Sequence, residues 1–319
     1  MVDLVTFGET MLRLSPPGQE RVETADQYDV HVAGAESNVA VAAQRLGLDS
    51  TWVSKLPDSP PGRKVATELR SHGVDTDVVW DDADTGRVGT YYLEQGDVPR
   101  GNDVIYDRSG ASVTTATVDE LPTGLLEETA AFHTSGITPA LSERLEATTA
   151  DLLAAADEAG ATTSLDVNYR SKLWTPAEAA EVLTDLFPNV DVLLTAKRDA
   201  ENLFGLSGPA SEMAVELTDE YGFDVTVVTQ GAEGAVAATP DEQFDRPAYE
   251  ASDAHPVGSG DSFVGGFLSQ YVEGAPIPRA LSWGAATAAL KRSVPGDIAV
   301  LSSDEVERVM QGDSTEIDR

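Results

Sequence analysis

Residues 255–263 read "HPVGSGDSF", and an apolar stretch, "VGGFLSQYV" (264–272), follows at once. Glycines gathered directly before an acid suit a tight turn, because glycine costs a helix conformational entropy and tolerates backbone geometry that side chains forbid. Where such a turn opens a helix, the free first-turn amides and the helix dipole make an anion site. Asp261 at that point is either an ordinary first-turn acid or a general base set beside the anion, and the stretch alone leaves both open.

Working outward, strands and helices alternate. "LVTFGE" (4–9) reads as a buried strand, and "ESNVAVAAQRLGL" (36–48) carries small apolar residues at helical spacing with a stop at Gly47. "TWVSKL" and "GVDTDVVW" read as strands on either side of a helical "GRKVATELRSHG". From Arg87 to Tyr106 the texture becomes alternating and turn-rich, which predicts an antiparallel excursion. After about residue 130 the rhythm returns: strands at "AAFHTSG", "TTSLDVN", "VDVLLT", "DVTVVT" and "GAVAAT", with helices over 141–159, 176–186 and 198–221. The stretch at 255–263 opens a helix to about 272, and another follows over 278–292. This order predicts an α/β fold with a mostly parallel sheet covered on both faces. Parts of 10–33 together with 87–108 predict a small β lid, residues 1–310 one domain, and 311–319 a polar tail.

Lys and Arg number 21 against 55 Asp and Glu, a net charge of −34. Such a field repels nucleic acid and anionic membranes, so neither is expected as a partner. Lysine is confined to Lys55, Lys64, Lys172, Lys197 and Lys291. A dense acidic surface poor in lysine suits concentrated salt, where the Debye length falls to about 3 Å near 1 M and self-repulsion is muted. The absence of cysteine excludes disulfides and thiolate chemistry. "MVDLVTFGET" has no basic, apolar leader, and no apolar run approaches the length of a membrane span, so a cytoplasmic location is expected.

Neither a G-x-x-x-x-G-K-[ST] loop nor H-E-x-x-H occurs, and His31, His72, His133 and His255 lack metal-ligand spacing. Any phosphate must then be held by amides and arginine. "TQGAEGAV" (229–236) is either a plain hairpin turn or a glycine-rich approach to a nucleotide.

"PVGSGDSFVGGFL" (256–268) resembles the C-terminal signature of the ribokinase-like (PfkB) carbohydrate kinases, D-[TP]-x-G-A-G-D. "AGAESNVAVAAQRLG" (33–47) is similar to their N-terminal glycine signature, and the resemblance covers nearly the whole chain. It implies a ribokinase-like three-layer sandwich with a small inserted β lid. "VIYDRSGAS" (104–112), "TSGITPAL" (134–141) and "SLDVNYRSKLW" (164–174) resemble the 2-keto-3-deoxygluconate kinases in particular.

The resemblance implies an ATP- and Mg²⁺-dependent kinase that phosphorylates the terminal hydroxyl of 2-keto-3-deoxygluconate. Asp261 would be the base, with Gly258, Ser259 and Gly260 around the transferring phosphoryl group. Gly34, Asn38, Tyr91, Tyr106, Arg108, Arg170, Asp261 and Asp297 would face the sugar, the arginines gripping its carboxylate. Thr229, Gly231 and Gly234, with Gly258 and Gly260, would line the nucleotide, and Asp199 would help to hold Mg²⁺ through water. The exposed lid implies a homo-oligomer. Three positions depart from the pattern: His255 replaces an acid, with Asp253 two residues out of register; the double glycine is Ala33-Gly34; and N-x-x-E reads Ala196-x-x-Asp199. A kinase for a neutral sugar, such as fructose or ribose, and a non-catalytic sugar- or nucleotide-binding protein remain as alternatives.

Overall fold

The computed structural model describes residues 2–96 and 99–312. The chain opens with β1 (Leu4–Phe7), β2 (Met11–Ser15), β3 (Asp29–Ala33), α1 (Ala35–Arg45), β4 (Ser50–Pro57), α2 (Pro60–Ser71) and β5 (Asp75–Asp81). β6 (Thr90–Glu94), β7 (Asp103–Asp107) and β8 (Ala131–Ser135) follow, then α3 (Glu143–Ala159), β9 (Thr162–Asp166), α4 (Pro176–Leu186) and β10 (Val192–Ala196). The remainder is α5 (Lys197–Phe204), α6 (Ala210–Tyr221), β11 (Val225–Thr229), β12 (Ala235–Ala238), β13 (Gln243–Arg246), α7 (Ser259–Tyr271), α8 (Ile277–Lys291) and α9 (Ser303–Gln311). Part of the expected tail is therefore helix: α9 is closed by Gly312 at φ 82°, and residues 313–319 lie outside those described.

A nine-stranded sheet runs in the order β13-β12-β11-β10-β9-β8-β1-β4-β5. From β11 to β5 neighbouring strands are parallel, and β12 and β13 add an antiparallel edge. Parallel strands buried on both faces lose their polar alternation, and β1, β4 and β8 are buried at every position. One apolar cluster joins Phe7, Phe132, Leu153 and Leu165; another joins Leu4, Val192, Val227, Phe263 and Phe267. The chain order reverses at β1, which lies between β8 and β4. In open α/β sheets the crevice beyond the carboxyl ends of the strands at such a reversal is where ligands bind.

The second sheet, in the order β3-β2-β6-β7, is not wholly antiparallel. β2–β3 and β6–β7 are antiparallel pairs, but β2 and β6 run parallel. A whole β-α-β unit separates those two strands, so the chain re-enters the small sheet in the same direction. The register sets His31, Arg13, Tyr91 and Tyr106 side by side on one face. Because side chains alternate along a strand, Val30, Leu14, Tyr92 and Ile105 line the opposite face. The first face packs toward the large sheet, with Met11, Ala33, Tyr91, Leu93 and Val257 in one apolar cluster. On the other, Val30 and Ile105 are exposed.

Candidate active site

Two helix N-termini meet at the crevice. Gly34 caps α1, and a Cβ there would lie 2.2 Å from the Glu9 carbonyl and 2.7 Å from Thr10 Oγ1, so only glycine fits against the loop after β1. Gly258 caps α7 at φ 80°, and a Cβ there would stand 2.0 Å from the Asp297 carbonyl. The turn before Asp261 is therefore fixed twice over, by its left-handed backbone and by its contact with the 294–297 loop. Ser259 is committed within the turn: its amide reaches Pro256 O at 3.3 Å and its hydroxyl at 2.8 Å. Gly260 is open: among the described residues nothing lies within 4 Å of where a Cβ would be.

Asp261 Oδ2 accepts from Asn38 Nδ2 at 2.7 Å. Burial lifts its pKa; hydrogen bonds from Asn38 and Asn168 and the nearby Arg170 charge act the other way. Asp166, at the carboxyl end of β9, faces the same space, and burial together with the Asp261 charge pushes its carboxyl up to about 7. Asn168 holds a positive φ of 39° two residues on, which turns "DVNYR" back toward the site. Arg170 Nη1 donates to Tyr169 O at 3.2 Å, and its charge reaches both Asp166 and Asp261. Behind them Glu36, 1 % exposed, accepts from Ser135 N at 3.2 Å, Ser135 Oγ at 2.6 Å and Thr138 Oγ1 at 2.8 Å. Burial raises its pKa to about 7, and the bonds pin the first turn of α1 to the end of β8.

The small sheet closes the site from above. Asp297, buried in the loop after α8, accepts from Tyr91 OH at 3.1 Å, and Arg13 Nη1 lies 2.8 Å from its other oxygen. Lys291 Nζ donates to Val294 O and Gly296 O, both at 3.0 Å, and ties the same loop to the end of α8. Tyr106 packs against Tyr91 with ring centroids 5.8 Å apart, and the Arg108 guanidinium stacks over the Tyr106 ring. Arg108 is not free: its guanidinium is ion-paired with the buried Glu9.

Among the described residues no three His, Asp or Glu side chains group closely enough to cage a metal. Magnesium commonly takes one or two carboxylates plus phosphates and water, and this donor set fits that mode. Asp199, 4 % exposed, sits in the first turn of α5, is bonded by the Tyr169 backbone, and bears electrostatically on Asp166. Asp253 does not stand in for the missing acid at 255: it is exposed and paired to Arg292, while the His255 amide donates to Arg292 O at 3.1 Å. On the nucleotide side, Thr229 ends β11, Gly231 and Gly234 have φ of 61° and 111°, and residues 231–233 form a short 3₁₀ turn between β11 and β12. The hairpin reading of "TQGAEGAV" is thus correct for the backbone. Gly234 is required by packing, since a Cβ there would meet Arg246 O at 2.1 Å; Gly231 faces open space.

Sequence reasoning missed Glu9, Arg13, Glu36 and Asp166. Arg13 carried a usable signal: in "MLRLS" it alternates in phase with Met11 and Ser15, which are buried, so a charge faces inward.

The model of the family described as "pfkB family carbohydrate kinase" matches residues 1–304. This chain belongs to the pfkB family of carbohydrate kinases. It is 55% identical to a 2-dehydro-3-deoxygalactonokinase of Haloferax volcanii over 99% of both chains. It is 31% identical to a 2-dehydro-3-deoxygluconokinase of Thermoproteus tenax, across 95% of this chain and 92% of that one. The crystal structure of 2-dehydro-3-deoxygluconokinase from Thermotoga maritima superposes with a TM-score of 0.91 at 34% identity, over 98% of this chain and all of that one. The protein is an ATP-dependent sugar kinase with the ribokinase-like α/β fold.

Proposed function

We propose that this kinase transfers the γ-phosphoryl group of ATP to the terminal hydroxyl of a 2-keto-3-deoxy hexonate, the gluconate form or its C4 epimer, the galactonate form. The observation that carries this reading is Asp261 at the start of α7, held by Asn38 at 2.7 Å beside the Arg170 guanidinium. Asp261 accepts the hydroxyl proton as the sugar oxygen bonds to the γ-phosphorus; the bond from that phosphorus to the β–γ bridging oxygen breaks, and ADP leaves. A carboxylate with a raised pKa is a better proton acceptor than an ordinary one. The Gly260 amide, in the open first turn of α7, and the helix dipole stabilise charge on the transferring oxygens. Thr229 and Gly231 line the nucleotide. Asp199 and Asp166 would hold Mg²⁺, which would supply neutralisation of the phosphate charge when bound.

Arg170 is the group we assign to the sugar carboxylate. Among the described residues its guanidinium makes one hydrogen bond, to Tyr169 O, which leaves its remaining donors for a ligand. Arg108 supports Tyr106 beneath the sugar while its charge is compensated by Glu9. The small sheet serves as a lid that excludes water from the phosphoryl group. Its outer row of Val30, Leu14, Tyr92 and Ile105, with Val30 and Ile105 45% and 47% exposed, is the surface through which two copies pair. Sedimentation or light scattering checks that assembly.

The decisive experiment is a coupled ADP-release assay with both hexonates, fructose and ribose. The reading expects kcat/KM for at least one hexonate to exceed that for either neutral sugar by about a hundredfold, the scale of one charged contact pair. The Haloferax volcanii relative supports the galactonate form and the relatives at 31–34% identity the gluconate form. The ratio of the two hexonate rates decides between them. Turnover of fructose or ribose alone would make this a neutral-sugar kinase, and no turnover with any sugar would favour a binding protein.

A further inference from the structure

A pocket for an anionic sugar has a difficulty at Asp297. This carboxylate is 2% exposed, in the loop whose backbone touches Gly258, and its charge acts on Asp261 in the catalytic turn. Buried, unpaired and ionised, it would repel a sugar acid across a medium of low dielectric. The lid brings the answer. Arg13, 4% exposed, comes from the middle of β2 in the same cross-strand row as His31, Tyr91 and Tyr106, and sets Nη1 2.8 Å from Asp297 Oδ2. The contact is one of charge and not of alignment: among the described residues Oδ2 makes no in-line hydrogen bond, and Arg13 Nε has no partner either. Oδ1 is already taken by Tyr91. Oδ2 is therefore a buried acceptor that no described group satisfies, while its charge is offset from the lid side.

We infer that Arg13 is a specificity-determining positioning residue: by compensating Asp297 it lets the pocket keep a hydroxyl acceptor and still admit a carboxylate-bearing sugar. This inference rests on the sugar-acid reading above. Arg13 acts through Asp297 and does not grip the substrate, which separates its role from that assigned to Arg170. Its effect falls mainly on sugar affinity, since Thr229 and Gly231 lie at the end of β11, four strands from β1, and Gly258 meets the Asp297 loop through backbone only.

The test uses the purified full chain and steady-state kinetics with whichever hexonate the wild type turns over. If it turns over neither, the sugar-acid reading has failed before Arg13 is examined. Arg13→Gln should raise the hexonate KM at least about tenfold, since Asp297 then loses its ion-pair partner and only the weaker influence of Lys291 and His31 offsets its charge, with KM for ATP within about twofold of wild type. Arg13→Lys should recover most of that loss. The Arg13→Gln/Asp297→Asn pair, which removes both charges, should have a lower hexonate KM than Arg13→Gln alone. A merely structural Arg13 would move both KM values and the melting temperature together, and the double variant would be worse than either single one. Equal behaviour of the Gln and Lys variants, or a double variant no better than Arg13→Gln, overturns the inference. Should Arg13→Gln fail to fold while Arg13→Gln/Asp297→Asn folds, the single variant's defect is the uncompensated charge, and the Lys variant against the double variant gives the same comparison.

Discussion

Asn38 on α1 and Asp261 on α7 are joined at 2.7 Å, and this bond exists because the two helices nearly touch. Gly265 makes the approach possible: a Cβ there would lie 2.5 Å from Ala42 Cβ and 2.8 Å from Val39 O. The position of the acid is thus set by helix packing four residues down α7, not by the turn alone. A glycine that reads as a helix weakness in the sequence is a packing requirement of the site.

Asp261→Asn keeps the shape and one acceptor oxygen but removes the proton acceptor. Kcat should fall by roughly 10²–10⁴ with the sugar KM little changed, the range for losing a general base. A rapid-quench measurement of the chemical step checks it. If the variant retains more than about a tenth of the wild-type rate, Asp261 is not the base.

The two arginines should separate. Arg170→Ala removes a charged donor that makes one hydrogen bond among the described residues, so it should raise the hexonate KM by about tenfold or more with a smaller change in stability than Arg108→Ala. Arg108→Ala strands the buried carboxylate of Glu9, 4% exposed, and breaking such a pair costs about 3–5 kcal/mol of stability. Urea melts of both variants give the comparison. Equal stability losses would mean that the Glu9–Arg108 pair contributes no more than a surface contact. Arg108→Ala/Glu9→Gln should recover part of the loss, because the second change removes the stranded charge.

Much of this arrangement could be read from local pattern. The turn at 258–261 and helix α7 follow from glycines before an acid and an apolar run, and Gly34 and Asn38 from the resemblance of "AGAESNVAVAAQRLG" to the family's N-terminal signature. The parallel sheet follows from strands alternating with helices. What was not legible depends on pairing across distance. Arg13 meets Asp297, and Glu9 meets Arg108, only after the small sheet has folded over the large one. The parallel β2–β6 pairing has no local signature, because strand direction is fixed by where the intervening unit returns the chain. Asp166 looked like one more residue at a strand end; its importance comes from Asp261 and Asp199 arriving from other elements.

Glu36 should leave a mark on the pH dependence of stability. Burial raises its folded pKa from 4.5 to about 7. Between those values the unfolded chain releases this proton while the folded chain keeps it. The unfolded state then binds fewer protons, and stability falls as pH rises, levelling off above about 7. Glu36→Gln supplies a carbonyl oxygen for the donors on Ser135 and Thr138 and does not titrate. Its stability curve between pH 4.5 and 7 should therefore be flatter than that of wild type, and the variant should be relatively more stable at pH 8 than at pH 5. Urea melts at fixed high KCl, which screens the other acids, give the difference directly. Parallel curves for the two proteins would mean that Glu36 is ionised in the fold throughout this range.

Salt should govern this protein more than any single residue does. The chain carries −34, and acids on the outside of the fold, among them Asp75, Glu143, Glu146 and Glu212, sit on a surface with few lysines to offset them. At 0.01 M ionic strength the Debye length is about 30 Å, so these charges act on one another across the whole molecule. Unfolding spreads them apart, and low salt should therefore favour the unfolded chain. At 1 M the length falls to about 3 Å, shorter than most surface separations, and the penalty largely disappears. The exposed ion pairs, such as Lys64 with Glu68 at 3.7 Å, are weakened by the same screening, but each contributes at most about 1 kcal/mol and they are few beside the unpaired acids. The buried Arg13–Asp297 pair, shielded from solvent ions, should be little affected. Melting temperature and initial rate should both rise from about 0.1 M toward about 2 M KCl, a range that takes the screening length from about 10 Å to below 3 Å. A melting temperature that stays flat or falls over that series would show that net surface repulsion does not limit stability, leaving the kinase assignment untouched.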